Sequence, residues 1–442
     1  MTGFVPRADI LPWGRIPRTQ MRVARPSFRD ELDALVGTGS AGVNGVLATG
    51  LRRSYGDTCI NDNGAVVDMT GLDHVTSFDS ATGLLVAEAG ISLKDVLRLA
   101  VPAGWFLPVT PGTKFVTLGG AVANDVHGKN HHRAGTIGRW IRRLDLLQSD
   151  GTKRSLGPED LTGAFAATIG GLGLTGVITR VALQLVPIAS SNMQVENIPF
   201  ENLAEFFALA AASDATHDYT VAWVDCLARG RTLGRGIFTR ARHGTDGELR
   251  VHPARGPSVP VDAPGFLLNR LSLAAFNELY YRFAGRPRQA TMSYEPFFYP
   301  LDAIENWNRL YGRRGFYQYQ SVVPSANAEA ATAEMLRRIA DAGQGSFLAV
   351  LKRFGDVPSP GLLSFPMQGT TLALDFANRG PQTLSLLDKL DAIVREAGGR
   401  LYPAKDGRIP ASMFQAGYPA LDRFRPHIDP GMSSAFRRRI KL

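Results

Sequence analysis

The chain has 442 residues, 44% hydrophobic and 20% charged, the balance of a soluble globular protein with two or three structural units. That balance excludes a disordered tail or a collagen-like chain, and the longest apolar runs, 206–212 and 347–351, fall well short of the roughly 20 residues a membrane span needs. A net charge of +9 favours an anionic partner: nucleic acid, a phosphate-bearing substrate or an acidic membrane face.

The first 40 residues predict an opening segment broken by Pro12, Pro17 and Pro26, then one helix starting near Phe28. Ser27 is its expected cap, with Leu32 and Leu35 on its apolar face. The N-terminus has no apolar signal-peptide core, so export by the usual route is not expected. Cys59 and Cys226 fit neither a disulfide framework nor a metal spacing. They are expected to be ordinary reduced thiols.

From 45 to 190, short β-rich runs alternate with glycine-rich turns. Strands are expected at 46–48, 65–69, 84–90, 144–148 and 176–186. Ser92 with Asp95 predicts the N-cap of a short helix whose apolar face is Leu93, Val96, Leu97 and Ala100. Asp150-Gly151 predicts a hairpin turn. Pro187 and the polar stretch 189–192 predict a domain boundary. Beyond it, strands are expected at 219–224, 316–323, 346–351 and 370–376, and helices at 328–342 and 384–397. Gly398-Gly399 ends the second helix. Residues 243–265, rich in Pro, Gly and charge, predict a mobile surface loop. The aromatic stretch 286–312, broken by Pro296 and Pro300, reads as a lid or as a packed loop. Arg437, Arg438, Arg439 and Lys441 gather charge at the C-terminus, where a solvated basic end is the simplest reading.

Three segments carry chemistry. Residues 50–57, Gly-Leu-Arg-Arg-Ser-Tyr-Gly-Asp, follow a strand. Successive backbone N–H groups in such a turn make an anion-binding concavity suited to a pyrophosphate. Pro111-Gly112-Thr113 and Thr117-Leu118-Gly119-Gly120 let backbone approach a flat ligand where a side chain would collide. Asn124-Asp125-Val126-His127, continuing to His132, holds three of the eight histidines within six residues. With no Cys or carboxylate at ligand spacing, it reads as the polar wall of a cofactor ring, not as a metal site. Gly171, Gly173 and Gly176 match a dinucleotide fingerprint in spacing. That fingerprint must open a helix, whereas Val177-Ile178-Thr179 reads as strand, so it is rejected.

The order of these segments resembles the FAD-binding domain of the vanillyl-alcohol-oxidase flavoprotein superfamily. Within it the chain is most similar to the decaprenylphosphoryl-β-D-ribose 2′-oxidase family. Further matching pieces are Ala222-Trp223, Gln318-Tyr-Gln320, Lys352 with Phe354-Gly355, and residues 401–406. The resemblance implies an α+β fold with a split FAD domain, 1–190 plus 399–442, and an inserted antiparallel-sheet substrate domain, 191–398. It implies that Ala48, Thr49, Gly50, Leu51, Arg52, Arg53, Ser54, Tyr55, Gly56, Asp57, Thr58, Gly112, Thr117, Leu118, Gly119, Gly120, Asn124, Asp125, Val126, His127, Ile178 and Tyr402 line FAD. Arg53 stands where some relatives carry a FAD-tethering histidine, so non-covalent FAD is expected.

In the resembled family, oxidation at the ribose 2′ carbon sends a hydride to the flavin as the 2′-hydroxyl loses a proton. Lys405 matches the active-site lysine, Tyr55 is a second group for handling the proton, and Trp223, Gln320, Lys352 and Thr371 match substrate-side positions. Ala373 replaces the family cysteine that nitroaromatic inhibitors attack, Thr371 replaces an asparagine, and Leu172 replaces another. The implied activity is oxidation of a polyprenyl-phosphoryl ribose to its 2′-keto form on the way to an arabinofuranosyl donor for cell-wall arabinan. The implied partners are a quinone or other electron acceptor and a separate NAD(P)-dependent reductase. The implied setting is cytoplasmic, with peripheral contact at the inner membrane face. A soluble aldonolactone or alditol oxidase is the alternative. A nucleic-acid binder is not expected, because the basic residues are scattered and no binding module is recognisable.

Overall fold

The computed structural model describes residues 3–37, 42–252, 256–265, 267–284, 286 and 288–442. The first four strands are β1 (Val5–Arg7), β2 (Met21–Ala24), β3 (Val46–Thr49) and β4 (Ala65–Asp68). They form one sheet in the order β1-β2-β4-β3, with β4 parallel to both β2 and β3. Val66 and Val67 are fully buried, as expected of a parallel strand covered on both faces.

Seven strands follow: β5 (Val75–Asp79), β6 (Leu84–Glu88), β7 (Trp105–Phe106), β8 (Ile141–Leu147), β9 (Lys153–Leu156), β10 (Val177–Gln184) and β11 (Val186–Pro187). Five of them make an antiparallel sheet ordered β5-β6-β10-β8-β9, and β7 pairs with β11. Asp150 and Gly151 turn β8 into β9. Gly151 has φ +87°, and the Asp150 carboxylate accepts from Thr152 N at 2.8 Å. The helix Leu93–Ala100 begins as its sequence predicts: Ser92 Oγ accepts from Asp95 N at 3.1 Å. Its Leu93, Val96, Leu97 and Ala100 enter the core that this sheet shares with Phe106, Leu144 and Val181.

The largest sheet has eight strands. They are β12 (Asn192–Phe200), β13 (Tyr219–Val224), β14 (Gly236–His243), β15 (Arg288–Ser293), β16 (Phe316–Pro324), β17 (Val350–Phe354), β18 (Gly369–Ala377) and β19 (Arg400–Leu401). Their order is β15-β12-β14-β13-β17-β18-β16-β19. The helices Leu203–Ser213, Ala328–Ala342 and Pro381–Glu396 close one large core with it. In the second helix Ala331, Met335 and Ile339, four residues apart, are all buried, and Gly343 at φ +60° ends it.

Two local expectations are corrected, and one open choice is decided. The first helix spans Glu31–Val36, not a start near Phe28. The Glu31 carboxylate accepts from the backbone N–H groups of Ser27 and Phe28, which holds these residues in a turn, so Ser27 is no cap. The strand expected at 346–351 begins only at Val350, because Ser346 Oγ turns the chain by accepting from Leu348 N at 3.0 Å. The stretch 286–312 contains β15 and the helix Tyr294–Phe298. It is pinned by the buried Lys114–Glu295 ion pair and by Asp302, which accepts from Lys114 N at 2.9 Å, so of the two readings the packed loop describes it. The helix Arg270–Ala284 was not expected. The rest of the 243–265 loop, outside residues 253–255, is irregular. Ser191 Oγ donates to Glu248 O at 2.9 Å, and Ser258 bridges to Glu305. Among the described residues no helix is long and apolar enough to cross a membrane.

Candidate active site

One cavity of about 840 Å³ opens between the glycine-rich segments and the eight-stranded sheet. Its first wall is backbone. β3 runs into Gly50, where an added Cβ would stand 2.0 Å from Thr117 Oγ1; only glycine lets the two segments meet. Arg52 follows at φ +51°, a conformation rare for a non-glycine residue. Its guanidinium is tied to Asp68 at 3.1 Å. Tyr55 N donates to Ala404 O at 2.9 Å, fastening this loop to the C-terminal segment.

Sixteen of the residues expected at FAD lie on the cavity surface: Ala48, Thr49, Gly50, Leu51, Arg52, Arg53, Ser54, Tyr55, Thr58, Gly112, Thr117, Gly120, Asn124, Val126, His127 and Tyr402. This wall suits a large polar, flat ligand. At Gly112 an added Cβ would meet no atom within 4 Å, and the buried Thr58 Oγ1 and Asn124 Oδ1 have no partner within the protein. Unpaired buried polar atoms are costly unless a ligand or water meets them.

Six expected positions stand behind the surface, each for a packing reason. Gly56 is pressed against Asp406, whose carbonyl would lie 2.4 Å from an added Cβ. Asp57 is buried in a bidentate pair with Arg439 at 2.6 and 2.8 Å. Leu118 and Ile178 are core residues. Gly119 is packed on Ala89, to whose carbonyl its N–H donates at 2.7 Å. Asp125 accepts from Gly138 N at 2.8 Å and from Ser364 Oγ.

The second wall is side chain. Register pairs Gln320 on β16 with Ala373 on β18, and Lys352 on β17 with Thr371. Trp223, Gln320, Lys352, Ala373, Asp375 and Lys405 all face the cavity. Thr371 does not, but its Oγ1 accepts from Gln320 Nε2 at 3.2 Å and so holds that amide. Gln320 Nε2 also lies 3.0 Å from His127 Nε2, and Lys352 Nζ lies 3.4 Å from His127 Nδ1.

Burial dominates the electrostatics here. It pushes the Lys405 ammonium down to about 8, opposed by the Asp375 charge. Burial and then Lys405 lower Lys352 to about 7. Burial raises Asp375 to about 6 against the hydrogen bond from Gln318 and the charge of Lys405. Burial and then Lys352 hold His127 well below its usual range, so its imidazole is neutral. The Tyr55 hydroxyl is driven well above 10 by burial and then by Asp375. Lys405 Nζ sits 4.2 Å over the Tyr55 ring. Tyr55 thus offers Lys405 its ring face, and its phenol is a poor base.

Several cavity residues were not singled out from the sequence. Lys129, lowered to about 7 by burial and then by Lys352, donates to Phe297 O. It lies inside the 124–132 segment, and only its type marked it. Asp375 lies in the β18 string and accepts from Gln318 Nε2 at 2.8 Å. Trp13, under the Arg53 guanidinium at 3.9 Å, and Asp302 come from distant segments and gave no local signal. Cys59 also faces the cavity, its thiol raised to about 12 by burial. His131 lies behind the cavity surface, packed against Phe354 at 4.5 Å with the rings tilted by 42°. Among the described residues no three His, Cys, Asp or Glu side chains converge as metal ligands do.

Comparison with known proteins agrees with this geometry. A family model described as an FAD binding domain matches residues 22–157. Decaprenylphosphoryl-beta-D-ribose oxidase of Mycolicibacterium smegmatis is 36% identical over 98% of this chain and 97% of its own. The chain belongs to the decaprenylphosphoryl-β-D-ribose oxidase family. An uncharacterised protein of Streptomyces coelicolor is 37% identical over 80% of this chain and all of its own. L-gulono-1,4-lactone dehydrogenase of Mycobacterium tuberculosis is 29% identical, over only 40% of this chain and 41% of its own. Similarity to the oxidase family therefore covers both walls of the cavity, while similarity to the lactone enzyme covers less than half of the chain.

Proposed function

We propose that this flavoenzyme oxidises the 2′-hydroxyl of a polyprenyl-phosphoryl-β-D-ribose to the ketone, with FAD as its cofactor. The observation that carries the reading is Lys405: a lysine that desolvation brings down to about 8, set over the ring of Tyr55 where the glycine-rich wall meets the sheet wall of one cavity. The chemistry FAD supplies when bound is acceptance of a hydride. Residues 48–55, Thr58, Gly112, Thr117, Gly120, Asn124, Val126, His127 and Tyr402 hold it. Arg53 leaves no histidine to tether it, so the attachment is non-covalent. Acid precipitation is expected to release the flavin into the supernatant; flavin retained in the pellet refutes this.

Lys405 in its neutral form takes the proton of the 2′-hydroxyl, a step in which a positioned base contributes about 10²–10⁴-fold. Gln320, held by Thr371, orients the sugar with Lys352. The charged fraction of Lys352 and Lys129 meets the phosphate. Trp223 packs beside them. Tyr55 is reassigned from proton handling to carrying Lys405 on its ring. The division into a split FAD domain (1–190 and 399–442) and an inserted substrate domain (191–398) is supported by the sheets, since the eight-stranded one is built almost wholly from the middle segment. A quinone or similar acceptor, a separate NAD(P)-dependent reductase and a cytoplasmic setting complete the reading.

An anaerobic absorbance spectrum tests it. Bleaching of the flavin band near ~450 nm on adding a short-chain prenyl-phosphoryl ribose, as hydride transfer requires, is the expected result. Bleaching by free aldonolactones instead would move the assignment to the soluble sugar oxidases.

A further inference from the structure

The helix Arg270–Ala284 is held on one side only. Leu273 is buried, Asn277 Nδ2 donates to Asp225 Oδ1 at 2.7 Å, Glu278 pairs with Arg235 at 2.6 Å, and Tyr281 Oη donates to Phe200 O at 3.4 Å. The other side is apolar and open. Leu271, Leu279 and Phe283 are 81%, 55% and 72% exposed, and Phe276 and Tyr280 lie beside them. Spacings of three and four residues put Phe276, Leu279, Tyr280 and Phe283 on one stripe, and Leu271, eight residues before Leu279, widens it on one edge. Elsewhere exposed large apolar residues such as Phe28 and Leu161 stand singly, which is ordinary for a surface.

Two observations say what covers this stripe. It runs into the cavity: Tyr280 lines the wall and packs on Trp223 at 4.8 Å, while Phe276 stacks on Tyr280 at 5.7 Å. It is also framed by positive charge: Arg270, Arg286 and Arg288 are exposed, and the one acid in the helix, Glu278, is shared between Arg235 and the exposed Arg282. An apolar stripe with a basic border is the pattern of a helix lying in the interface of an anionic bilayer.

We infer that the Arg270–Ala284 helix docks the enzyme on an anionic lipid surface and lets the prenyl chain of the substrate leave the cavity past Tyr280 into that surface. The prenyl part rests on the reaction proposed above; the lipid contact does not. The contact sits at the cavity mouth and not at the basic C-terminus, where Arg437 and Arg439 are engaged in hydrogen bonds within the fold.

The test is co-sedimentation of the flavin-loaded full chain with vesicles of phosphatidylglycerol and phosphatidylcholine in equal parts. The wild type is expected to pellet, and less so as salt is raised. The variant Leu279→Glu/Phe283→Glu is expected to lose about tenfold in bound fraction, since charges replace the inserted side chains. It should keep the flavin spectrum and the wild-type bleaching rate with a soluble short-prenyl substrate. A wild type that stays in the supernatant, a variant that pellets equally, or equal binding to phosphatidylcholine alone overturns the inference. So does dimerisation abolished by the same variant without vesicle binding, which would give the face to a second copy of the chain. Vesicle binding without bleaching would refute the reaction and leave the docking face standing; bleaching without vesicle binding would do the reverse.

Discussion

The two walls of the cavity are made from different material. The wall of residues 48–55, 110–113, 115–117 and 126–128 is close-fitted backbone, with a glycine where Thr117 crosses and a left-handed residue at Arg52. The wall of β16, β17 and β18 is regular strand that brings the side chains of Lys352 and Asp375 together with Lys405, from the turn after β19, into one desolvated neighbourhood. The first wall gains its property from shape and is intolerant of an added atom where its segments cross, as at Gly50. The second gains it from mutual electrostatics and is tunable one side chain at a time.

Substitutions separate the two. The largest effect is expected for Lys405→Met, which should slow flavin reduction by about 10³-fold while leaving FAD bound. Rapid-mixing absorbance measures it, and a loss of less than about tenfold would remove Lys405 as the base. Gly50→Ala should do the opposite. Overpacking against Thr117 costs about 1–3 kcal/mol, so FAD affinity should fall by about 10–100-fold, read as flavin-to-protein absorbance on dilution. Ala373→Cys should create a thiol on the sheet wall that takes a nitroaromatic adduct by mass spectrometry. The wild type should take none, because Cys59, its cavity thiol, is held protonated.

The rate of flavin reduction should rise with pH through about 8, as Lys405 loses its proton, and level off above. The Asp375 carboxylate raises that lysine, so Asp375→Asn should move the midpoint to lower pH by up to about one unit, 1.36 kcal/mol of interaction. A change in amplitude at a fixed midpoint would show Asp375 to be merely structural. The smallest effect belongs to Ser92→Ala, remote from the sheet wall. Losing its N-cap should cost about 1 kcal/mol, seen as a lower Tm with an unchanged midpoint.

How legible each wall was follows from its material. Glycine and turn chemistry is written in contiguous residues, so 50–55, Gly112, Thr117, Gly120 and 126–127 are readable from the string and lie on the cavity surface. The same local signal overreaches to Gly56, Asp57, Leu118, Gly119 and Asp125, because a motif does not say which of its alternate residues turns inward. On the sheet wall, only register shows that Gln320 faces Ala373 and that Thr371 supports from behind. Resemblance supplied Gln320, Lys352 and Lys405 there; periodicity would not have. Lys129 and Asp375 went unmarked because their role depends on neighbours from other strands. The Arg270–Ala284 helix carries a plain helical period in Leu271, Ala275, Leu279 and Phe283, yet that stripe faces outward, so no buried partner marks it.

The hydrogen bond from Tyr55 N to Ala404 O joins residues at opposite ends of the chain, and Lys405 follows at once. During synthesis the glycine-rich loop is therefore made long before the segment that completes the cavity. Domains fold largely in the order they emerge, but this site is assembled last, when the C-terminal segment returns to the loop. Flavin capture then reports completion of the chain. A polypeptide stopped before 404 would carry most of the glycine-rich wall and the strands of the sheet wall, yet it would lack Lys405 and the carbonyl that fastens the loop, so ligand binding would add less to hold it folded.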